Sequence, residues 1–147
     1  MVLIAIAFSL RLAFGAHLLR HAGGPIATGP VPAIAGAIVC AVGIGIAIWA
    51  RIYLGRNWGM PMSLREGHEL VTSGPYAYVR HPIYSGIFLA LIGTAVVEAR
   101  WWIAFLALFF IYFLYAATVE ERTMREQFPN EYPVYARRTK MLVPFVL

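Results

Sequence analysis

Apolar residues in this chain neither alternate nor form a one-sided stripe; they gather into long runs. Four runs stand out: Val2–Leu19, interrupted by Arg11 and His17, then Ile34–Leu54, Pro82–Val97 and Trp101–Val119. Runs of this length, apolar on every face, predict membrane-spanning helices and not core helices of a soluble domain. The third run is short. Its sixteen residues would rise roughly 24 Å, less than the ~30 Å hydrocarbon core, so its first turn is expected at a recessed and partly dehydrated rim. Only Glu98, Ala99 and Arg100 separate the third and fourth runs, which predicts a tight antiparallel hairpin. The second run carries small residues four apart at Gly36/Cys40, Ala37/Ala41 and Gly43/Ala47. That spacing lets two helices approach closely in lipid. Gly43 and Gly45 are therefore read as packing residues and not as a dinucleotide-binding turn, which needs a preceding strand and further glycines.

Composition agrees with this picture. Of 147 residues, 61% are hydrophobic and 13% charged, about half the charged share of an ordinary soluble domain. The length allows one domain, residues 1–147. A net charge of +5 raises nucleic acid as a partner, but the cations lie between the apolar runs, where membrane topology accounts for them. Arg51, Arg56, Arg65 and Arg80 lie between runs two and three, and Arg122, Arg125, Arg137, Arg138 and Lys140 follow run four. Only Arg20 and Arg100 fall in the opposite loops. Positive residues collect on the cytosolic side, so both termini and the 51–80 loop are expected there. The first run lacks a basic leader and a cleavage site and reads as a retained span. Arg11 and His17 inside it read as packed or snorkelling groups. Cys40 is alone, so no disulfide framework and no metal site are expected.

One polar stretch breaks the pattern. Ser73–Gly86, SGPYAYVRHPIYSG, places an arginine, a histidine and three tyrosines at the mouth of an apolar helix. Ser73–Tyr76 reads as a turn. His81 precedes Pro82, which disfavours the helical region for His81 and suits Pro82 as the first helical residue. The free N–H groups of that helix then face the cytosolic rim, an anion-binding arrangement. Beyond run four, EERTMREQF is expected to continue the helix as an amphipathic segment until Pro129. Tyr132, Tyr135 and a basic cluster follow.

Taken together, His68-Glu69-Leu70-Val71, Gly74-Pro75-Tyr76, Arg80-His81-Pro82-Ile83-Tyr84-Ser85-Gly86, Glu120-Glu121 and Phe128…Glu131-Tyr132…Tyr135…Arg138…Pro144 resemble the isoprenylcysteine carboxyl methyltransferase family and its shorter prokaryotic relatives. The resemblance covers roughly residues 50–147. It implies an all-α integral membrane fold of four spans, with a cytosolic loop and C-terminal tail, about residues 55–147, forming a pocket for S-adenosylmethionine. It also implies cofactor-binding roles for His68, Glu69, Leu70, Val71, Tyr76, Arg80, His81, Pro82, Ile83, Tyr84 and Glu120, and catalytic roles for Arg138 and Glu121. The implied partners are the lipid bilayer and a lipophilic or prenylated acceptor, with no nucleic acid and no metal. Phospholipid N-methyltransferases share the cofactor and form one alternative; membrane NADPH-dependent sterol-type reductases, much longer proteins, form another.

The chemistry is compatible with these residues. Methyl transfer from a sulfonium asks the protein mainly to position the two partners. A carboxylate of the glutamate pair suits the cofactor ammonium. Arg80, His81 and the helix start at Pro82 suit its carboxylate, and Tyr76, Tyr84 and the Leu70–Val71 backbone suit the adenine. Glu120 and Glu121 lie about 100° apart on a helix. Glu121 shares a face with Ala117 and Arg125, so it is expected to form a partly exposed pair with Arg125 and to be the more structural of the two. Glu120, beside Ala116 and Met124, is left to the cofactor. Ala116 occupies a position where the larger enzymes of the family carry an arginine for the substrate carboxylate. Beyond the glutamates and His81 there is no buried acid–base pair, which favours an already anionic acceptor, a carboxylate or a thiolate.

Overall fold

A computed structural model describes residues 28–55, 69–97 and 102–143. The expected first span, with Arg11 and His17, and the candidate ligand residue His68 lie outside the described residues. Helix α1 runs Pro30–Leu54, α2 Pro82–Val97, α3 Trp102–Gln127 and the short α4 Tyr132–Arg138, with a 3-10 turn at Gly74–Ala77 before α2. Among the described residues there is no strand, only one isolated parallel bridge between Val79 and Lys140. The described residues form an all-helical fold, as their apolar runs predict.

The second run is longer than predicted. Helix α1 begins at Pro30 and not Ile34, because Pro30 and Pro32 fall in the first turn, where the backbone N–H has no intrahelical partner to lose. It ends at Gly55, whose φ of 52° and N–H bond to the Arg51 carbonyl close the last turn. Helix α2 has the predicted bounds. His81 stands outside it in non-helical conformation, and its carbonyl accepts the first helical bond from the Ser85 N–H at 3.1 Å. Helix α3 continues past the predicted end of its apolar run to Gln127, and Pro129 follows where the amphipathic extension was expected to stop.

Helices α1 and α3 are each long and apolar enough to cross a membrane, and α2 is a shorter apolar helix. Only 11% of the apolar window in α1 and in α3 is buried inside the protein. A core helix of a soluble domain would be mostly buried, whereas among the described residues these helices turn their apolar surface outward. Ile34, Ile38, Ile48, Ile52, Ile103, Leu108 and Ile111 are all exposed in this way. Three apolar helices thus fall within the described residues.

Lipid offers helices no hydrophobic drive to associate, so close backbone packing has to replace it. It does so between α1 and α2. Gly36, Cys40, Gly43 and Ala47 on α1 meet Gly86, Ala90 and Gly93 on α2, and the pairs run in opposite directions, so the helices are antiparallel. Two of the three small-residue pairs seen in the sequence make this seam. Ala37 and Ala41 face outward instead. A Cβ placed on Gly43 would stand 2.5 Å from the Gly86 carbonyl oxygen, and one on Gly86 would stand 2.6 Å from that of Gly43. Neither backbone has room to retreat. The α2–α3 contact is made differently, through aromatic rings: Tyr84 on Phe113 and Phe88 on Phe110.

Gly43→Val should therefore separate α1 from α2 at its midpoint, with a loss of at least about 1–3 kcal/mol, the usual cost of overpacking. Gly45→Val, where a Cβ meets nothing within 4 Å, serves as the control. Thermal unfolding of both variants in detergent should show a large drop for Gly43→Val only.

Candidate functional site

Arg80, His81, Glu120, Glu121 and Arg125 converge at one end of α2, where the α3 extension and the tail meet it. The 3-10 turn buries Pro75 and Tyr76. Its C-terminal side leads Val79, Arg80 and His81 alongside the tail: the Arg80 N–H donates to the Lys140 carbonyl at 2.8 Å and the His81 N–H to the Met141 carbonyl at 3.1 Å. The Ser85 hydroxyl also donates to the Leu142 carbonyl, and the Tyr135 hydroxyl to the Tyr76 carbonyl at 2.7 Å. The tail is thereby pinned against the start of α2.

At the centre sits Glu121, its side chain 5% exposed. The Arg80 guanidinium donates through Nε to Glu121 Oε1 at 2.6 Å and through Nη1 to the carbonyls of Ala136, at 3.1 Å, and Thr139. Arg125 Nη2 reaches Glu121 Oε2 at 3.3 Å. The pairing with Arg125 agrees with helix spacing, and it is partly exposed on the Arg125 side only. Glu121 follows Ala117, which is fully buried, onto the inward face of α3, and its dominant partner is Arg80, forty-one residues away in sequence. Glu120 is the more open of the two, with 32% of its side chain exposed.

His81 lies between the two carboxylates, with Nδ1 3.5 Å from Glu120 Oε2 and Nε2 3.6 Å from Glu121 Oε1. These are ion-pair distances, and Nε2 has no hydrogen-bond partner among the described residues. Burial disfavours the imidazolium, but Glu120 and Glu121 outweigh it and hold the His81 pKa above its ordinary value. For Glu121, burial opposes ionisation, yet His81 and Arg80 hold its carboxyl below the usual range. Tyr132, 2% exposed, also buries a hydroxyl without a hydrogen-bond partner among the described residues.

The other candidates divide into two groups. Pro82 is fully buried at the head of α2, Ile83 is half-buried on the same turn, and Glu69, Leu70 and Val71 run in irregular backbone toward the 3-10 turn. Tyr84 donates its hydroxyl to Glu120 Oε2 at 3.1 Å, and its ring lies near-parallel to His81 and Phe113. Arg138 is exposed and lines a cavity of about 410 Å³ with Arg80, Ala136, Arg137, Thr139, Lys140 and Met141, a volume within the range of small-molecule sites. Sequence reasoning missed the Ala136 and Thr139 carbonyls as anchors for Arg80, and Phe113 as the ring beneath Tyr84. Backbone acceptors leave no trace in a residue pattern. Phe113 is one of many aromatics in its run, and nothing in the run singles it out.

The family model described as Phospholipid methyltransferase matches residues 31–131, from the second residue of α1 to the residue before α4. The chain belongs to that family. Within this methyltransferase family it is of the isoprenylcysteine carboxyl methyltransferase-like type. It is 36% identical over 101 residues to Protein-S-isoprenylcysteine O-methyltransferase B of Arabidopsis thaliana, covering 66% of this chain and 51% of that one. It is 39% identical over 95 residues to a nickel-cobalt-cadmium resistance protein of Alcaligenes xylosoxydans xylosoxydans, covering 62% of this chain and 44% of that one. Methanethiol S-methyltransferase 1 of Bradyrhizobium diazoefficiens is 37% identical over 70 residues, 48% of this chain and 24% of that one. Among solved structures, the eukaryotic intramembrane Ras methyltransferase ICMT superposes with a TM-score of 0.71 at 27% identity, over 78% of this chain and 42% of that one. The chain spans about half the length of the curated relatives it matches, or less.

The charge cluster predicts a two-sided pH dependence of stability. His81, raised above 6.5, contributes fully below 6.5, and its contribution is lost as pH rises through the folded-state pKa. Glu121, lowered from 4.5, contributes fully above 4.5 and is lost as pH falls through its folded-state pKa. Thermal unfolding in detergent without ligand should be latest between these values and decline above 6.5. His81→Gln should remove the alkaline decline and keep the acid one. An unchanged alkaline decline in that variant would assign it to another group.

Proposed function

We propose that this chain is an integral membrane methyltransferase that uses S-adenosylmethionine to methylate a lipophilic acceptor, a carboxylate or a thiol on an isoprenoid-like chain. The observation that carries the proposal is the position of Glu120. It is the one accessible carboxylate in a cluster that otherwise buries its charges, and it sits at the rim where apolar helices meet the polar tail.

The residues present fit the cofactor. Glu120 suits the α-ammonium; the buried His81 Nε2 and the cations of the tail cavity, Arg138 among them, suit the α-carboxylate; Tyr76 and the Leu70–Val71 backbone suit the adenine. When bound, the cofactor supplies a methyl group on a sulfonium, ready for in-line displacement by a nucleophile. The protein's own work is to orient and to exclude water. Arg80, satisfied by Glu121 and two carbonyls, holds the tail over the head of α2. His81 steadies Glu120 by charge. Below Tyr84 the α2–α3 seam continues as Phe88 on Phe110, and these rings offer an apolar wall to the chain of a lipophilic acceptor. Arg138 remains a catalytic candidate; for Glu121, burial favours a structural role over direct participation.

Ala116 stands one turn before Glu120 and brings no charge. With no cation at that position to hold an acceptor carboxylate, the acceptor's recognition rests on its apolar part. The family's own description as phospholipid methyltransferases supports a second reading, in which an amine of a phospholipid headgroup takes the methyl group. Methyl transfer from labelled S-adenosylmethionine into prenylcysteine, thiol and phosphatidylethanolamine acceptors, assayed side by side in detergent, separates the two.

Glu120→Gln keeps size and polarity and removes the charge. S-adenosylhomocysteine binding should weaken by about 1.5 kcal/mol, or roughly tenfold, the lower end for a hydrogen bond to a charged group because the side chain is partly exposed. Glu121→Gln should instead lower stability. A loss of affinity without loss of stability in Glu121→Gln would exchange the two roles. Sidedness has its own test. With the site on the cytosolic face, Lys140→Cys should resist an impermeant thiol reagent applied outside intact cells, and labelling there would place the tail on the other side.

A further inference from the structure

We infer that Tyr84 is a positioning residue: it aims the Glu120 carboxylate at the ligand and does not itself touch the ligand. This rests on the reading of Glu120 as the partner of the cofactor's ammonium group.

Three contacts support it. The Tyr84 hydroxyl donates to Glu120 Oε2 at 3.1 Å. His81 Nδ1 approaches the same oxygen at 3.5 Å. The described contacts of Glu120 thus gather on Oε2 and none falls on Oε1, so the carboxylate is held by one oxygen and presents the other. The Tyr84 ring is itself immobilised. His81 lies near-parallel to it with centroids 5.5 Å apart and 11° between planes, and Phe113 does so at 5.2 Å and 12°. A phenol fixed by two rings on two different segments is a stiff strut. A free glutamate at the end of an exposed helix turn would sample several rotamers and lose that freedom on binding a cation; a glutamate already hydrogen-bonded to a fixed phenol loses less, and preorganisation of this kind appears as affinity.

The consequence is selective. Only ligands with an ammonium group for Glu120 benefit from Tyr84, whereas a purely structural tyrosine would affect every ligand of the pocket equally. Tyr84→Phe retains the ring and its stacking and deletes only the hydroxyl. Titrating detergent-solubilised protein calorimetrically, S-adenosylhomocysteine affinity should fall about tenfold in Tyr84→Phe. Affinity for 5′-methylthioadenosine, which shares the nucleoside and lacks the amino-acid half, should stay within about twofold. In a Glu120→Gln background the same change should cost S-adenosylhomocysteine little further, because the group being aimed has gone. Should Tyr84→Phe fail to fold, Phe113→Leu loosens the ring without removing the hydroxyl, and the same ligand-selective loss is expected from it. Equal losses for both ligands, or a full additional loss in the Glu120→Gln background, would overturn the positioning role while leaving the cofactor reading intact. Failure of the unaltered protein to bind S-adenosylhomocysteine at all would overturn both.

Discussion

The contact between Arg80 and Glu121 is the one on which the rest of this site depends. A charge buried in an apolar chain is costly unless it is paired and its remaining hydrogen-bonding capacity is met. Here both conditions hold. Glu121 receives Arg80 on one oxygen and Arg125 on the other, and the far side of the Arg80 guanidinium is taken up by the carbonyls of Ala136 and Thr139. Those carbonyls belong to the end of α4, where the helix dipole favours a cation. One side chain therefore joins the segment before α2, the extension of α3 and the tail. Arginine suits this work because its rigid fork can serve a carboxylate and two carbonyls at once; a lysine has the charge without the fork.

This arrangement divides two adjacent glutamates into different tasks. Glu121 follows Ala117 inward and is committed to the architecture. Glu120, a hundred degrees round the helix, is held at the rim by Tyr84 and His81 and remains accessible. His81 serves both, lying between the carboxylates, whose charges favour its protonated form against the cost of burial. A cluster of two acids and three basic groups on two segments, tied to the tail through backbone carbonyls, is a demanding thing to build beside a bilayer. It is tolerable because it lies beyond the apolar part of α3, where the helix has become amphipathic and can be covered by the tail.

The apolar half of the molecule solves a simpler problem with other means. Between α1 and α2 the backbones themselves touch, through Gly43, Gly86 and Gly93, and this fixes the axial position of α2 to within a fraction of a turn. Since His81 and Tyr84 sit on the first turn of α2 and just before it, the glycine seam also sets the height of the site. The stretch matched by the family model, residues 31–131, holds these helices and the polar segment that leads into α2.

The sequence by itself determined the elements. Long apolar runs, the small-residue spacing, Pro82 after His81 and Pro129 after the amphipathic extension placed the helices, because lipid leaves the backbone few alternatives to helix and proline has fixed positional preferences. The residue types of the site were legible too, since Arg80, His81 and the glutamate pair are conspicuous in so apolar a chain. What the sequence could not decide was which partner each group takes. Helix spacing offered Glu121 only Arg125, four residues away; Arg80 reaches it from another segment, and its other acceptors are backbone carbonyls that any sequence would supply. Ala37 and Ala41 have the same spacing as Gly43 and Ala47, yet only the latter pair meets α2. Periodicity names the faces of a helix, but which face is buried depends on where its neighbours stand, and only the tertiary structure decides that.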